Sequence, residues 1–219
     1  MLVSGLIIIV GMYLLFRLIR PNKYKQTSYY QVTGKSYWEL DKGGFGEYRA
    51  FKKLEGFEKE GGRFLFNLNI PKRNGETTEI DLILIHPKGF FVIESKNYNG
   101  WIFGNEKNQY WTQTLPKGRG KSNKVRFYSP IRQNSGHIKH LKRLLSERIP
   151  MWSVIVFSDE CTLKDVSVSR NARYKVVQLH ELRPLVAKLI KATDGVVFSA
   201  KDIQWIYDEL LPFTQGAGS

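Results

Sequence analysis

The chain of 219 residues carries a single cysteine, Cys161. A disulfide framework within the chain is excluded, and a cysteine-built zinc site has almost nothing to stand on. The lone thiol fits a reducing compartment. Acidic residues are also scarce: 20 Asp and Glu face 34 Lys and Arg, for a formal charge of +14. Such a surplus favours an anionic partner, either nucleic acid or an acidic membrane face, without choosing between them. There are no internal repeats and no long low-complexity tracts. Apolar residues, at 42%, and aromatics, at 13%, are in ample supply for a core. The length suits one domain of about 150–200 residues with an appendage.

No Lys or Arg precedes the first apolar run, Leu2 to Ile19, whereas Arg17, Arg20, Lys23 and Lys25 sit within its end or follow it. A cleaved signal peptide has the reverse order. Eighteen residues of helix rise about 27 Å, close to the thickness of a bilayer's hydrocarbon core. Residues 1–20 are therefore expected to be an uncleaved transmembrane anchor, with the cations on the cytoplasmic side. The blander alternative is a buried N-terminal helix. Residues 21–42 read as a basic juxtamembrane tether, and residues 43–215 as the folded domain.

In "GGFGEYRAFKKLEGF", Glu47, Ala50, Phe51 and Leu54 share one helical face, with Gly43, Gly44 and Gly46 as an entering loop. "GGRFLFNLNIP" reads as a strand in which Phe64, Phe66 and Leu68 alternate with Asn67 and Asn69. Ile80 to Ile85 and Phe90 to Ile93 are apolar runs joined by "HPKG", the pattern of a hairpin. With Pro87 and Lys88 at its tip, Ile85 faces Phe90 and Asp81 faces Glu94. Lys96, two residues on, points the same way. A basic loop, Lys117 to Arg126, follows. Ser129 and Pro130 open a helix with Ile131, Asn134, Ile138, Leu141 and Leu145 on one stripe. "WSVIVFS" is a buried strand. "YKVVQLHELRPLVAKLI" is a strand and then a helix, with Pro184 placed in its first turn. "SAKDIQWIYDELLPF" is a capped terminal helix. The order of elements predicts a mixed β-sheet flanked by helices.

Two carboxylates side by side in an apolar hairpin repel one another. A shared proton or a hard divalent cation relieves that. Asp81, Glu94 and Glu47 form a candidate metal set for Mg²⁺ or Mn²⁺. Lys96 is a candidate to orient or deprotonate water, or to stabilise charge on a phosphate. Together these make metal-assisted phosphodiester hydrolysis. Structural alternatives stand beside each role. Asp81 can be satisfied by backbone N–H groups, Glu94 and Lys96 can be an ordinary ion pair, and Glu47 can simply favour the start of a helix.

The segments "GEYRAF", "EIDLILIHPKGFFVIESKNYNGWIFG" and "PIRQNSGHIKHL" resemble the nuclease-related domain (NERD) family. That family is similar to the PD-(D/E)XK, restriction-endonuclease-like superfamily. The resemblance covers roughly Gly43 to Leu145. It implies an α/β restriction-endonuclease-like fold in which Asp81 and Glu94 match metal-binding acids, Lys96 the catalytic lysine and Glu47 the acid of the first helix. Gln133 matches a polar residue near the site. Ile80 stands where the family's signature has proline.

His137, one turn beyond Gln133, is a candidate phosphate contact. Lys117, Arg119, Lys121, Lys124 and Arg126 are candidates to track a nucleic-acid backbone, the alternative being a solvated loop. For Trp101, Tyr110 and Trp111, packing is favoured over stacking on bases. The expected protein is a membrane-anchored, metal-dependent nuclease, acting on DNA and facing the cytoplasm. A non-catalytic module binding nucleic acid or protein, and a lipid-bound scaffold, are the alternatives.

Overall fold

The computed structural model describes residues 23–118, 121–145, 149–169 and 172–214. The anchor expected over residues 1–20 lies outside them. Among the described residues, no helix is long and apolar enough to cross a membrane.

The main sheet is built from β1 (Arg63–Pro71), β2 (Thr77–His86), β3 (Gly89–Lys96), β7 (Met151–Phe157) and β9 (Tyr174–Gln178), in the order β1-β2-β3-β7-β9. β1, β2 and β3 pair antiparallel. β3, β7 and β9 run parallel, with α3 (Pro130–Leu144) lying in the crossover from β3 to β7. The hairpin register is the expected one: Leu82 opposes Ile93, Ile85 opposes Phe90 and His86 opposes Gly89.

Side chains leave this sheet on both faces, so its central strands read as nearly unbroken apolar runs. On one face Phe64, Phe66, Leu82, Leu84, Phe91 and Ile93 pack against Phe51 and Leu54 of α2 (Lys42–Leu54) and Leu182 and Val186 of α4 (Leu179–Lys191). On the other, Leu65, Leu68, Ile83 and Val92 meet Leu141 of α3 and Ile203, Ile206 and Leu210 of α5 (Ala200–Leu210). Each such side chain, fully buried, is worth about 1.5–3 kcal/mol.

Strict alternation fails at one place. Leu68 shares a face with Leu65, not with Phe64 and Phe66 as its spacing predicted. Between them Asn67 has φ of +52°, a left-handed conformation that asparagine tolerates better than most residues. Ile80 and Leu82 likewise fall on opposite faces, with Asp81 between them. Both strands therefore change face at one level of the sheet.

A second sheet was not foreseen. It comprises β4 (Gly100–Asn105), β5 (Tyr110–Pro116), β6 (Ser122–Tyr128) and β8 (Cys161–Ser167), in the order β6-β5-β4-β8. The expected basic loop is thus a strand from Ser122 onward, with Lys124 and Arg126 in it. Arg119 lies outside the described residues. Ile102 and Trp111 seat this sheet on Ile155 and Phe157 of the main sheet and Ile131 of α3. The Trp111 and Phe157 rings stack at 6.1 Å, and Gly104 leaves room for the indole, since a Cβ there would meet it at 2.1 Å. Packing thus explains Trp111. Trp101 and Tyr110 remain exposed. Cys161 is buried and its thiol is pushed up to about 11, chiefly by burial, so it is not a reactive nucleophile.

Residues 23–42 are not an extended tether. Helix α1 (Ser28–Thr33), capped by Thr27, sets Tyr29 into the core with no exposure, where its ring lies 4.8 Å from Phe66. The glycines expected as a loop lie inside α2, because Asp41 caps that helix by accepting from the Gly44 N–H. Pro184 stands in the interior of α4, not in its first turn. The start of α4 is set by the capping box of Gln178 and Glu181, and the proline forgoes one helical hydrogen bond.

Candidate active site

The site forms where β2 and β3 part. Their regular pairing ends at Leu82 and Ile93. One residue beyond, the Asp81 carboxylate accepts from the Ser95 N–H at 2.7 Å, so a side chain takes a place the backbone ladder would otherwise fill. Asp81 lies opposite Asn67 in the register of β1 with β2, at the level where both strands change face. The left-handed φ at Asn67 is backbone strain beside the site, of the kind found where function over-determines geometry. The Asn67 Oδ1 is buried and has no hydrogen-bond partner among the described residues.

Glu94 is 1% exposed, in a position that demands partners. Its Oε1 accepts from the Lys96 ammonium at 2.6 Å, and its Oε2 lies 3.2 Å from His137 Nε2. Lys96 also donates to Gln133 Oε1 at 3.2 Å. The other ring nitrogen of His137, Nδ1, is 2.9 Å from Thr78 Oγ1. Threonine, histidine, glutamate, lysine and glutamine therefore form one connected chain. Asn134, wholly buried, holds α3 in place by donating to Val92 O and Ser153 Oγ, each at 2.9 Å. That bond explains a polar residue on the apolar stripe of α3. It also turns Gln133 and His137, its neighbours on the helix, toward β3.

Glu47 reaches the site from α2. Tyr29 Oη is 3.5 Å from its Oε2. The helix comes close to β3 because residue 46 is glycine: a Cβ there would lie 2.8 Å from Ser95 Oγ and 2.9 Å from Asn97 Cβ. The Asn97 side chain donates to Lys42 O at 2.7 Å and ties the start of α2 to the same strand end. Gly46→Ala is expected to push α2, and Glu47 with it, away from β3. It should cost about 1–3 kcal/mol in a denaturant titration. An unchanged midpoint would mean that the approach is looser than drawn.

The electrostatics follow from this crowding. Burial, then the Glu94 charge and then Glu47, hold the Asp81 carboxyl well above the usual aspartate range, and the Ser95 N–H and Lys96 offset only part of that. Burial, with Glu79 next, pushes Glu47 up to about 7. Burial disfavours the Lys96 ammonium, but the charge and hydrogen bond of Glu94, followed by Asp81, outweigh it. The lysine therefore lies above its ordinary value and stays protonated at neutral pH.

The structure thus brings Asp81, Glu94, Lys96, Gln133 and, from the opposite layer, Glu47 to one end of the main sheet. It does not put His137 on a nucleic-acid surface: the ring is 3% exposed and stands behind Glu94. Lys124 and Arg126 belong to the outer strand β6 of the second sheet, and Lys117 and Lys121 to the turn that joins β5 to it. Asn67, Thr78, Ser95 and Tyr29 escaped sequence reasoning. Of these, only an asparagine inside an apolar strand offered a signal. Among the described residues, no group of three or more Asp, Glu, His or Cys side chains that could hold a metal ion is preformed.

The nuclease-related domain model matches residues 42–158. An uncharacterized protein of Bacillus anthracis is 34% identical over 170 residues, spanning 78% of this chain and 76% of its own length. No solved structure matches the chain. The matched segment runs from the first residue of α2 to just past β7 and includes Glu47, Asp81, Glu94, Lys96 and Gln133, and on that match the chain belongs to the nuclease-related domain family.

Proposed function

We propose that the chain is a metal-dependent nuclease that hydrolyses phosphodiester bonds at the end of β2 and β3. The observation that carries this reading is the pairing of a buried Glu94 with Lys96, beside an Asp81 whose carboxyl is driven up by neighbouring acids. Three carboxylates at one strand end have no structural purpose that burial would reward.

The donor set fits Mg²⁺ or Mn²⁺. It is all oxygen, and Mg²⁺ commonly takes one or two protein carboxylates and completes its shell with water and phosphate oxygens. A preformed cage of three acids is therefore not required. Asp81 and Glu94 would hold the ion, with Glu47 beside it. When bound, such an ion lowers the pKa of water and neutralises charge on a phosphate. Lys96, being protonated, acts as a charged donor and not as a base. It orients a water or a phosphate oxygen, and Gln133 fixes its direction. The His137–Thr78 pair fixes the Glu94 carboxylate from behind.

The substrate is read as nucleic acid, with DNA favoured, because the chain's surplus of +14 suits a polyanion. The apolar run Leu2 to Ile19 is read as a membrane anchor with the domain on the cytoplasmic side. One observation favours a second reading, a binding module without catalysis: Glu94 already has both oxygens engaged by Lys96 and His137, as in a purely structural ion pair.

The two readings separate in one assay. The full chain, kept in non-ionic detergent, is incubated with end-labelled DNA and Mg²⁺ or Mn²⁺. Cleavage that EDTA stops and Lys96→Ala removes is the expected result. Binding without cleavage under either metal, unchanged by Lys96→Ala, would leave the module reading in its place.

A further inference from the structure

The second sheet has one face in the core and one in solvent. Ile102, Trp111 and Phe127 point inward. On the opposite side of the same strands stand Trp101, Tyr110 and Tyr128, at 46%, 45% and 44% exposure. Exposed aromatics gathered on one face of a sheet are less usual than ones scattered singly, and such patches mark interaction sites. Cations accompany them. The Arg126 guanidinium lies 4.9 Å from the centre of the Tyr110 ring, and the Lys164 ammonium 5.9 Å from that of Trp101. Tyr110 and Tyr128 pair across β5 and β6 with ring centres 6.1 Å apart. Lys124, opposite Thr114, extends the row along the exposed edge strand. Edge cations also guard against strand addition. That purpose does not call for exposed rings beside them.

The face is joined to the candidate active site. β4 starts at Gly100, four residues beyond Lys96. Gln113 of β5 donates to Asn99 O at 2.8 Å. Arg132, the residue before Gln133, donates to Lys107 O at 2.9 Å and ties the β4–β5 turn to α3.

We propose that the outer face of the second sheet binds single-stranded nucleic acid, with unpaired bases stacked on Trp101, Tyr110 and Tyr128 and phosphates held by Lys124, Arg126 and Lys164. Aromatic rings on an open sheet offer π-faces to bases that have none of their own partners, whereas a duplex keeps its bases stacked inside. Interleaved cations match the backbone charge. The proposal deepens the nuclease reading by naming its substrate form, and rests on that reading only for what becomes of the strand.

Binding is measured without metal, so that cleavage plays no part. The full chain in detergent and EDTA is titrated into a fluorescent oligothymidylate of about 30 nucleotides, and separately into a duplex of equal length. The strand is expected to bind more tightly than the duplex. The double change Trp101→Ala and Tyr110→Ala should weaken strand binding by about tenfold or more. Trp101→Phe with Tyr110→Phe should keep most of it. Lys124→Glu with Arg126→Glu, at exposed positions that do not endanger folding, should weaken it and flatten its salt dependence. Trp205→Ala, an exposed aromatic on α5, should change nothing. Oligouridylate bound with the same dependence on the rings supports the proposal equally. Equal affinity for duplex, or strand binding indifferent to both double changes, overturns it. Strand binding without cleavage under any divalent ion would sink the nuclease reading alone. Cleavage by a chain whose strand binding ignores both double changes would sink the platform alone.

Discussion

Asp81→Asn is expected to lower metal-dependent cleavage by about a thousandfold or more while leaving the fold intact and more stable above neutral pH. The two effects have one cause. Asp81 is crowded by Glu94 and Glu47, and its carboxyl is held above the ordinary range by burial and by those charges. An amide of the same shape still accepts from the Ser95 N–H, so the splayed ends of β2 and β3 keep their bridge. It removes a charge that costs folding energy at pH 8. It also removes the charge that attracts a divalent ion. A purely structural aspartate behaves otherwise: its loss destabilises the protein and leaves any activity in proportion to the folded fraction. Parallel melting curves and initial cleavage rates separate the cases. Reduced stability together with retained cleavage would count against the assigned role.

In the metal-free protein the contribution of Glu47 to stability should be lost as pH rises from about 4.5 to about 7, against an opposite contribution from His86 and His140, which burial holds below the usual histidine range. Glu47 is one source of a loss of stability with rising pH. Its value in the fold is about 7 against 4.5 for the unperturbed group. Between those limits the folded state binds more protons at Glu47 than the unfolded chain does, so this contribution falls with rising pH. The fall is complete once Glu47 ionises in both states. The size is about 2–3 kcal/mol, reduced from the full shift because the group retains some access to water. Asp81 adds in the same direction.

A divalent cation should offset the loss above pH 7 and do little near pH 5, where the acids hold protons. Its contribution grows with occupancy and reaches about 2.7 kcal/mol at a hundred times Kd. Urea titrations at pH 5.5 and 8, with EDTA or Mg²⁺, test this. A change in stability from pH 5.5 to 8 in EDTA that is the same in Glu47→Gln, or an equal effect of Mg²⁺ at both pH values, would contradict it.

The central hairpin was legible in the sequence because three signals agreed. Two apolar runs of strand length flank a turn, β-branched residues fill them, and placing Pro87 and Lys88 at the tip gives the register observed, where a slip by one residue was the alternative. That register extrapolates to an opposition of Asp81 and Glu94, but the ladder ends at Leu82 and Ile93 and the Asp81 carboxylate accepts from the Ser95 N–H instead. Helices α3 and α5 were legible from their stripes and caps, Ser129 before α3 and Ser199 before α5.

The second sheet was hidden for a physical reason. Its inward face is short, and the solvent face of β6 is cationic, so Ser122 to Tyr128 carries the composition of a loop. Aromatics at Trp111 and Phe127 were the remaining trace. Residues 23–42 were hidden in the same way. Their cations suggested a tether, while Tyr24 and Tyr29 were the residues that dock on the core. The change of face at Asn67 and Asp81 was not readable at all, because period-two reasoning assumes an unbroken pleat. His137 was misplaced because a lone histidine on a helix gives no sign of a buried acid across the interface.

Manganese binding followed by electron paramagnetic resonance reaches the central claim with the fewest intermediate steps, since free Mn²⁺ gives a strong signal that fades on binding. The full chain should take up about one Mn²⁺ per molecule at pH 8, and Asp81→Asn and Glu94→Gln should each weaken that uptake by about tenfold or more. Uptake equal in all three proteins, or none by the unaltered chain with oligothymidylate present, would show that the acids at the end of β2 and β3 do not form a metal site.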